Sequence, residues 1–176
     1  MKAMKIIKSS VVMLVIAILA SGAVLAQGNG NGQDKSKKEQ KKEQKQLNKE
    51  ARKLEGTAEE AAHGIGRDAV FCVLAAHTDI ASHQTAQALK AEFESLTDFP
   101  FGQFVSAVLL VDRLDKEGFG LDDVLAKLQA GMSIGEITKE AKVNMGEVRS
   151  GFGQMRSELA HSMTNPPTKN CFETAP

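Results

Sequence analysis

Four histidines, two cysteines, one Ser-His pair and one acidic, glycine-containing stretch are the groups in this chain whose chemistry could build a site. A zinc or copper site on a helix needs two imidazoles at i, i+4, or a His-Glu-x-x-His run. His63, His77, His83 and His161 offer neither spacing, and His77 and His83, six residues apart, point in different directions on one helix. Cys72 with His77 could hold a soft metal only as a free thiolate, and Met132, Met145, Met155 and Met163 at helical intervals fit core filling better than ligation. Asp115, Glu117, Gly118, Asp122 and Asp123 suggest a calcium loop. Placing Gly118 at its sixth position puts Arg113 first and Val124 twelfth, where an Asp and a Glu are required. Ser82-His83 are chain neighbours, which does not set hydroxyl against imidazole, and there is no Gly-x-Ser-x-Gly elbow. Gly118-Phe119-Gly120 and Gly151-Phe152-Gly153 lack the third glycine and preceding strand of a phosphate cradle. With no Trp or Tyr, a sugar-stacking platform would fall to phenylalanines that the pattern buries. No catalytic, cofactor or metal residue is assigned, and the expectation is that the chain is not an enzyme.

The cysteines point instead to a structural bond. Lys2, Lys5 and Lys8 precede an apolar run from Val11 to Ala20, and Val24-Leu25-Ala26 places small residues where signal peptidase reads them. The expectation is a signal peptide over 1–26, cleaved between Ala26 and Gln27, and an exported product in the periplasm or medium. Val11 to Ala26 is 16 residues with Ser21 and Gly22 among them, short of the about 20 apolar residues that span a bilayer. No stable membrane span is therefore expected after cleavage. In an oxidising compartment two cysteines pair, and a Cys72–Cys171 disulfide would fasten the tail 164–176 to the core. Closing a loop of about 100 residues stabilises by about 4 kcal/mol in the chain-entropy model.

The elements that must position these groups are helices. Gly28 to Gly32 is a flexible spacer, and residues 35–55 form a Lys/Glu/Gln-rich tract whose apolar stripe is Leu47, Ala51 and Leu54. Residues 34–55 hold nine Lys/Arg against five Asp/Glu, whereas 56–163 hold nine against sixteen. A basic leader therefore precedes an acidic domain, although the whole chain is neutral. The spacer and tract (27–55) are read as a partly helical arm outside the core. It is either a solubilising linker, which the composition favours, or a handle for an anionic envelope component.

From Gly56 the spacing becomes helical, with Thr57 and Glu60 as a capping box opening a segment that runs to Ala76. A second helix is expected over 79–96 and a third from Pro100 to Leu114, the most apolar stretch after the signal and the expected centre. Leu121 to Ala130 stops at Gly131, Ser133 and Glu136 cap the next helix, and Asn144 caps the last. That last helix carries Val148, Phe152, Met155 and Leu159 on one face. No strand alternation is seen. The expected fold is all-α, a single five- or six-helix domain (56–163) after a signal peptide and a basic helical arm.

Met132 to Arg149 carries the one recognisable motif. It resembles the helix–turn–helix core of bacterial response regulators and sigma factors, with Ser133, Glu136, Ile137, Val143, Asn144 and Val148 at the capping, apolar and turn places. It is also similar to a tri-helical unit of uncharacterised exported bacterial proteins, whose turn is matched by Gly131, Ser133, Gly135, Glu136 and Ile137. That second resemblance covers residues about 101–160 and implies an all-helical exported protein with no known activity. The residues themselves argue against nucleic acid as partner. The recognition helix would begin Met145-Gly146-Glu147 and offer only Arg149 and Arg156, on a domain whose charge repels phosphate. The function expected from sequence is an exported helical binding or structural protein of unspecified ligand. A DNA-binding helix–turn–helix protein and a periplasmic metal-responsive protein are the alternatives.

Export and pairing are checked together by the intact mass of natively expressed protein. A chain beginning at Gln27 that takes up two alkyl groups only after reduction is expected.

Overall fold

The structure is a computed structural model, and it describes residues 31–77, 85–114, 119–166 and 171–172. The signal segment 1–26, spacer residues 28–30, His83 and residues 115–118 of the acidic stretch lie outside the described residues, whereas Asn31 and Gly32 of the spacer are already helical. Seven helices and no strand are found among the described residues: α1 (Asn31–Gly64), α2 (Arg67–His77), α3 (Ala86–Ser95), α4 (Phe101–Leu114), α5 (Leu121–Gln129), α6 (Ile134–Glu140) and α7 (Met145–Thr164). The all-α expectation holds.

The first departure from the sequence reading is α1. It is unbroken for 34 residues, through the boundary expected at position 55. Thr57 does not cap a helix start; its hydroxyl donates to the Lys53 carbonyl at 3.0 Å, the back-bonding of a hydroxyl residue inside a helix. The tract read as lying outside the core supplies three of the five seam residues of α1: Leu47, Ala51 and Leu54 are buried with Ala58 and Ala61. Burial of the two leucines alone contributes roughly 1.5–3 kcal/mol each, more than the about 1 kcal/mol that Gly56 costs in mid-helix. The helix ends only at Gly64-Ile65-Gly66, where Gly66 takes φ 89. The expected continuous segment to Ala76 is therefore two helices.

Around α1 the other helices pack at two close approaches. α4 is buried along most of its length and lies so near α1 that a Cβ on Gly102 would collide with the Glu55 carbonyl. At the start of α6, a Cβ on Gly135 would stand 2.6 Å from Gln44 Cγ. α1 also satisfies the first turns of both helices, whose N–H groups have no intrahelical partner. Glu59 Oε1 accepts from the Gly102 N–H at 2.9 Å and Asn48 Oδ1 from the Gly135 N–H at 2.7 Å. α7 is the most extensive partner of α1, and its buried face is Val148, Phe152, Met155 and Leu159, as the spacing indicates.

The far end of the bundle is aromatic. Phe71 of α2, Phe93 of α3, and Phe101 and Phe104 of α4 meet with centroids 5.2–6.2 Å apart, mostly edge to face, and the Arg67 guanidinium covers two of the rings. Cys72 and Cys171 form a disulfide, with Cα atoms 5.7 Å apart. It sets Phe172 beside Lys90, whose ammonium lies 5.5 Å from the ring centroid.

Glycine substitutions separate the two kinds of position. Gly102→Ala and Gly135→Ala are expected to destabilise by about 1–3 kcal/mol or more through overpacking. Gly56→Ala, whose Cβ meets nothing within 4 Å, is expected to stabilise by about 0.5–1 kcal/mol. Urea unfolding of the three variants checks the opposite signs.

Candidate functional site

A continuous α1 sorts its charges into ridges. Lys38, Lys42, Lys45, Lys49 and Arg52 follow each other at steps of three and four residues, and all five are exposed. One position on, Glu39, Glu43, Gln46 and Glu50 repeat the same steps. Two positions on, about 200° around the helix, come the buried Leu47, Ala51 and Leu54. The cations therefore stand on the side opposite the core, with no acid in their ridge. Their chemistry is that of four ammonium point charges with freely rotating donors, closed by the planar guanidinium fork of Arg52, and none of the five has an acceptor.

The second ridge is used by the fold. Gln46 Oε1 accepts from Arg149 Nη1 at 2.6 Å and Glu50 Oε2 from Arg156 Nη1 at 2.9 Å. Glu50 also accepts from Lys53 at 2.7 Å, and that hydrogen bond, against some desolvation and aided by the Lys53 and Arg156 charges, holds its carboxyl below the ordinary glutamate range. These are the two arginines that the sequence offered to nucleic acid. The segment carrying the resemblance, Met132 to Arg149, folds as α6, a turn through Lys142 at φ 57, and the first turns of α7. The start of α7 thus lies against α1 rather than standing free.

The turn before α6 is built as its caps indicate. The Ser133 N–H and hydroxyl both donate to Glu136 Oε2 at 2.8 Å, and the Glu136 N–H donates to Ser133 Oγ at 3.4 Å. Those bonds, the backbone one first, hold the Glu136 carboxyl below its ordinary range. Asn144 Oδ1 accepts from the Gly146 N–H at 2.8 Å. Between this turn, α1 and α4 opens a cleft of about 240 Å³. Its floor includes Ala51, Leu128, Met132 and Ile134, and Arg52, Glu55 and Gln103 are among its polar lining. Desolvation raises the Glu55 carboxyl above the ordinary glutamate value, and Arg52 offsets part of that.

Of the residues considered earlier for metal or calcium, His83, Asp115, Glu117 and Gly118 lie outside the described residues, and the others do not converge. His63 and His161 are exposed on different helices, and His77 Nδ1 pairs with Glu158 Oε2 at 2.8 Å across α2 and α7. Asp123 Oδ2 accepts from the Gly120 N–H at 3.2 Å, a first-turn contact of α5. Among the described residues no three His, Cys, Asp or Glu groups could share a metal ion, and no helix is long and apolar enough to cross a membrane. The sequence reading of 27–55 as a solubilising linker or a handle for an anionic envelope component rested on net charge and did not resolve the ridge. Its three-and-four spacing was present in the sequence, but it has meaning only if the helix is continuous.

Comparison with family models, with curated proteins and with solved structures found no match to this chain.

Glu55 gives a pH test. A carboxyl whose folded pKa is raised makes stability fall as pH climbs from the ordinary value of about 4.3 through the folded one, because the folded state then holds the extra proton. Glu55→Gln removes that loss. Its melting temperature should match the parent below about pH 4 and exceed it at pH 7, as a thermal melt series reads.

Proposed function

We propose that this chain is an exported binding protein that holds a linear, phosphate-bearing polymer of the cell envelope along the exposed cationic ridge of α1. The observation that carries the reading is the placement of Lys38, Lys42, Lys45, Lys49 and Arg52 on one solvent face of a helix anchored in the bundle. A helix rises 1.5 Å per residue, so these five cations span about 21 Å at intervals of about 5 Å. Anchoring matters. A tract of this composition alone would be a loose chain that loses entropy on binding, whereas a helix extended from a packed segment presents its charges with less left to order. The ridge also favours a polymer over a bilayer. An interfacial helix needs an apolar face to enter the headgroup boundary, and residues 31–46 contain no Leu, Ile, Val, Met or Phe.

Export rests on the Lys-rich start, the apolar run and the Ala26-Gln27 junction. The DNA-reading alternative draws nothing from α7, since Arg149 and Arg156 are bonded to α1. The metal-responsive alternative draws nothing from the described histidines His63, His77 and His161, which do not converge.

Binding of fluorescent polyphosphate to the mature chain, measured across salt, tests the proposal. Five engaged cations predict a slope of log K against log salt near about −3.5. Replacing Lys38, Lys42, Lys45 and Lys49 with Gln should flatten it by about 3, while Glu39→Gln with Glu43→Gln leaves affinity equal or higher. Binding of polyphosphate no stronger than that of a neutral polymer at low salt, or an unaltered slope in the Lys variant, overturns the reading. Tighter binding to anionic vesicles than to polyphosphate at equal charge does so too.

A further inference from the structure

The acids that α1 turns toward the bundle are engaged by the fold, with one exception. Glu50 bonds Lys53 and Arg156, and Glu59 receives the Gly102 N–H. Glu55 is half-buried at the cleft between α1, α4 and the α5–α6 turn, yet no hydrogen bond to its carboxylate is found among the described residues. Its oxygens keep some water contact, since Ser106 Oγ is the buried side-chain polar atom without a partner among the described residues, but the hydration lost to the cleft walls is not replaced by a protein donor. Desolvation is what pushes its carboxyl up, and only the partial influence of Arg52 opposes this. A ligand that brings its own donors would relieve that cost.

The rest of the cleft narrows the ligand class. No second carboxylate or imidazole lines the cleft with Glu55, and no three such groups among the described residues could share a metal ion. A protonated amine is the cation that a single carboxylate can hold. Arg52, exposed at the same cleft, offers the fork that fits a carboxylate. Leu128, Met132 and Ile134 supply an apolar wall that only an apolar ligand group would shield from water. The cleft, at about 240 Å³, is smaller than the roughly 300–1,000 Å³ of drug-sized sites, so the ligand is small.

We propose that this cleft binds an apolar α-amino acid, with its ammonium on Glu55, its carboxylate on Arg52 and its side chain against Leu128, Met132 and Ile134. The site shares Arg52 with the polymer-binding ridge but no lysine, and the polymer test replaces lysines alone while this one rests on Glu55, so either can fail alone.

Amide chemical shifts of the 15N-labelled mature chain, titrated with L-leucine, L-leucinamide and isovalerate, test it. Leucine at about 10 mM, where millimolar sites fill, should shift amides of 51–55 and 131–135 saturably. Leucinamide, which keeps the amine and lacks the carboxylate, should bind about tenfold more weakly, the worth of one charge-assisted hydrogen bond. Isovalerate, without the amine, should give no saturable shift. Glu55→Gln, which preserves shape, should lose both amine ligands while its circular dichroism stays unchanged. Arg52→Gln should bring leucine down to the leucinamide level and leave leucinamide as it was. No saturable shift with leucine overturns the proposal, as does Glu55→Gln binding leucine within about twofold of the parent.

Discussion

Everything in this molecule leans on the seam that α1 lays through the bundle. Leu47, Ala51, Leu54, Ala58 and Ala61 are all buried, and three of the five are alanines. Small side chains let neighbouring backbones come close, and the neighbours answer with glycine: Gly102 of α4 against Glu55, Gly135 of α6 against Gln44 and Asn48. At that range side chains of α1 reach the unpaired N–H groups at the starts of both helices. Glu59 and Asn48 each terminate a helix that is not their own. Packing and hydrogen-bond satisfaction are thus one interaction, and removal of α1 would deprive α4 and α6 of both.

The disulfide plays a different part at the other end. There the core is made by four phenylalanines and the covering Arg67, a cluster with ample apolar area of its own. Cys72–Cys171 adds no comparable area. It limits where residues 171–172 can go and keeps Phe172 in contact with the bundle. Ser106 is the one loose thread of the described core, its hydroxyl buried in α4 without a hydrogen-bond partner.

Local signals in the sequence carried far where the physics was local. The Ser133 and Asn144 caps, the stop at Gly131, the apolar run of α4 and the stripe of α7 all depend on residues a few positions apart, and all are found in the structure. The pairing of Cys72 with Cys171 was legible by counting, since two cysteines allow one intramolecular bond. Thr57 and Glu60 misled because a capping box and a hydroxyl bonded to the preceding turn look alike in sequence. Which one forms depends on whether residues 47–54 are packed. That is decided by α4, α6 and α7, far along the chain. Gly64 and Gly66 did mark the true break, but an apolar pattern running past them outweighed two glycines. The candidate site suffered in the same way. Cations at steps of three and four are a ridge on a helix and scattered charge on a coil, and the cleft at Glu55 exists only once three distant segments meet.

The exposed ridge and the buried seam share one helix, and that ties the orientation of the ridge to the phase of the seam. The cations face away from the bundle because Leu47 lies two residues after Lys45. A single residue inserted between Gln46 and Leu47 would turn everything before it by about 100°, swinging the lysines out of line with Lys49 and Arg52. Seven inserted residues, close to two full turns, would restore the alignment to within about 20°. The arm can therefore change length in steps of a heptad and keep its direction, whereas shorter insertions would redirect it.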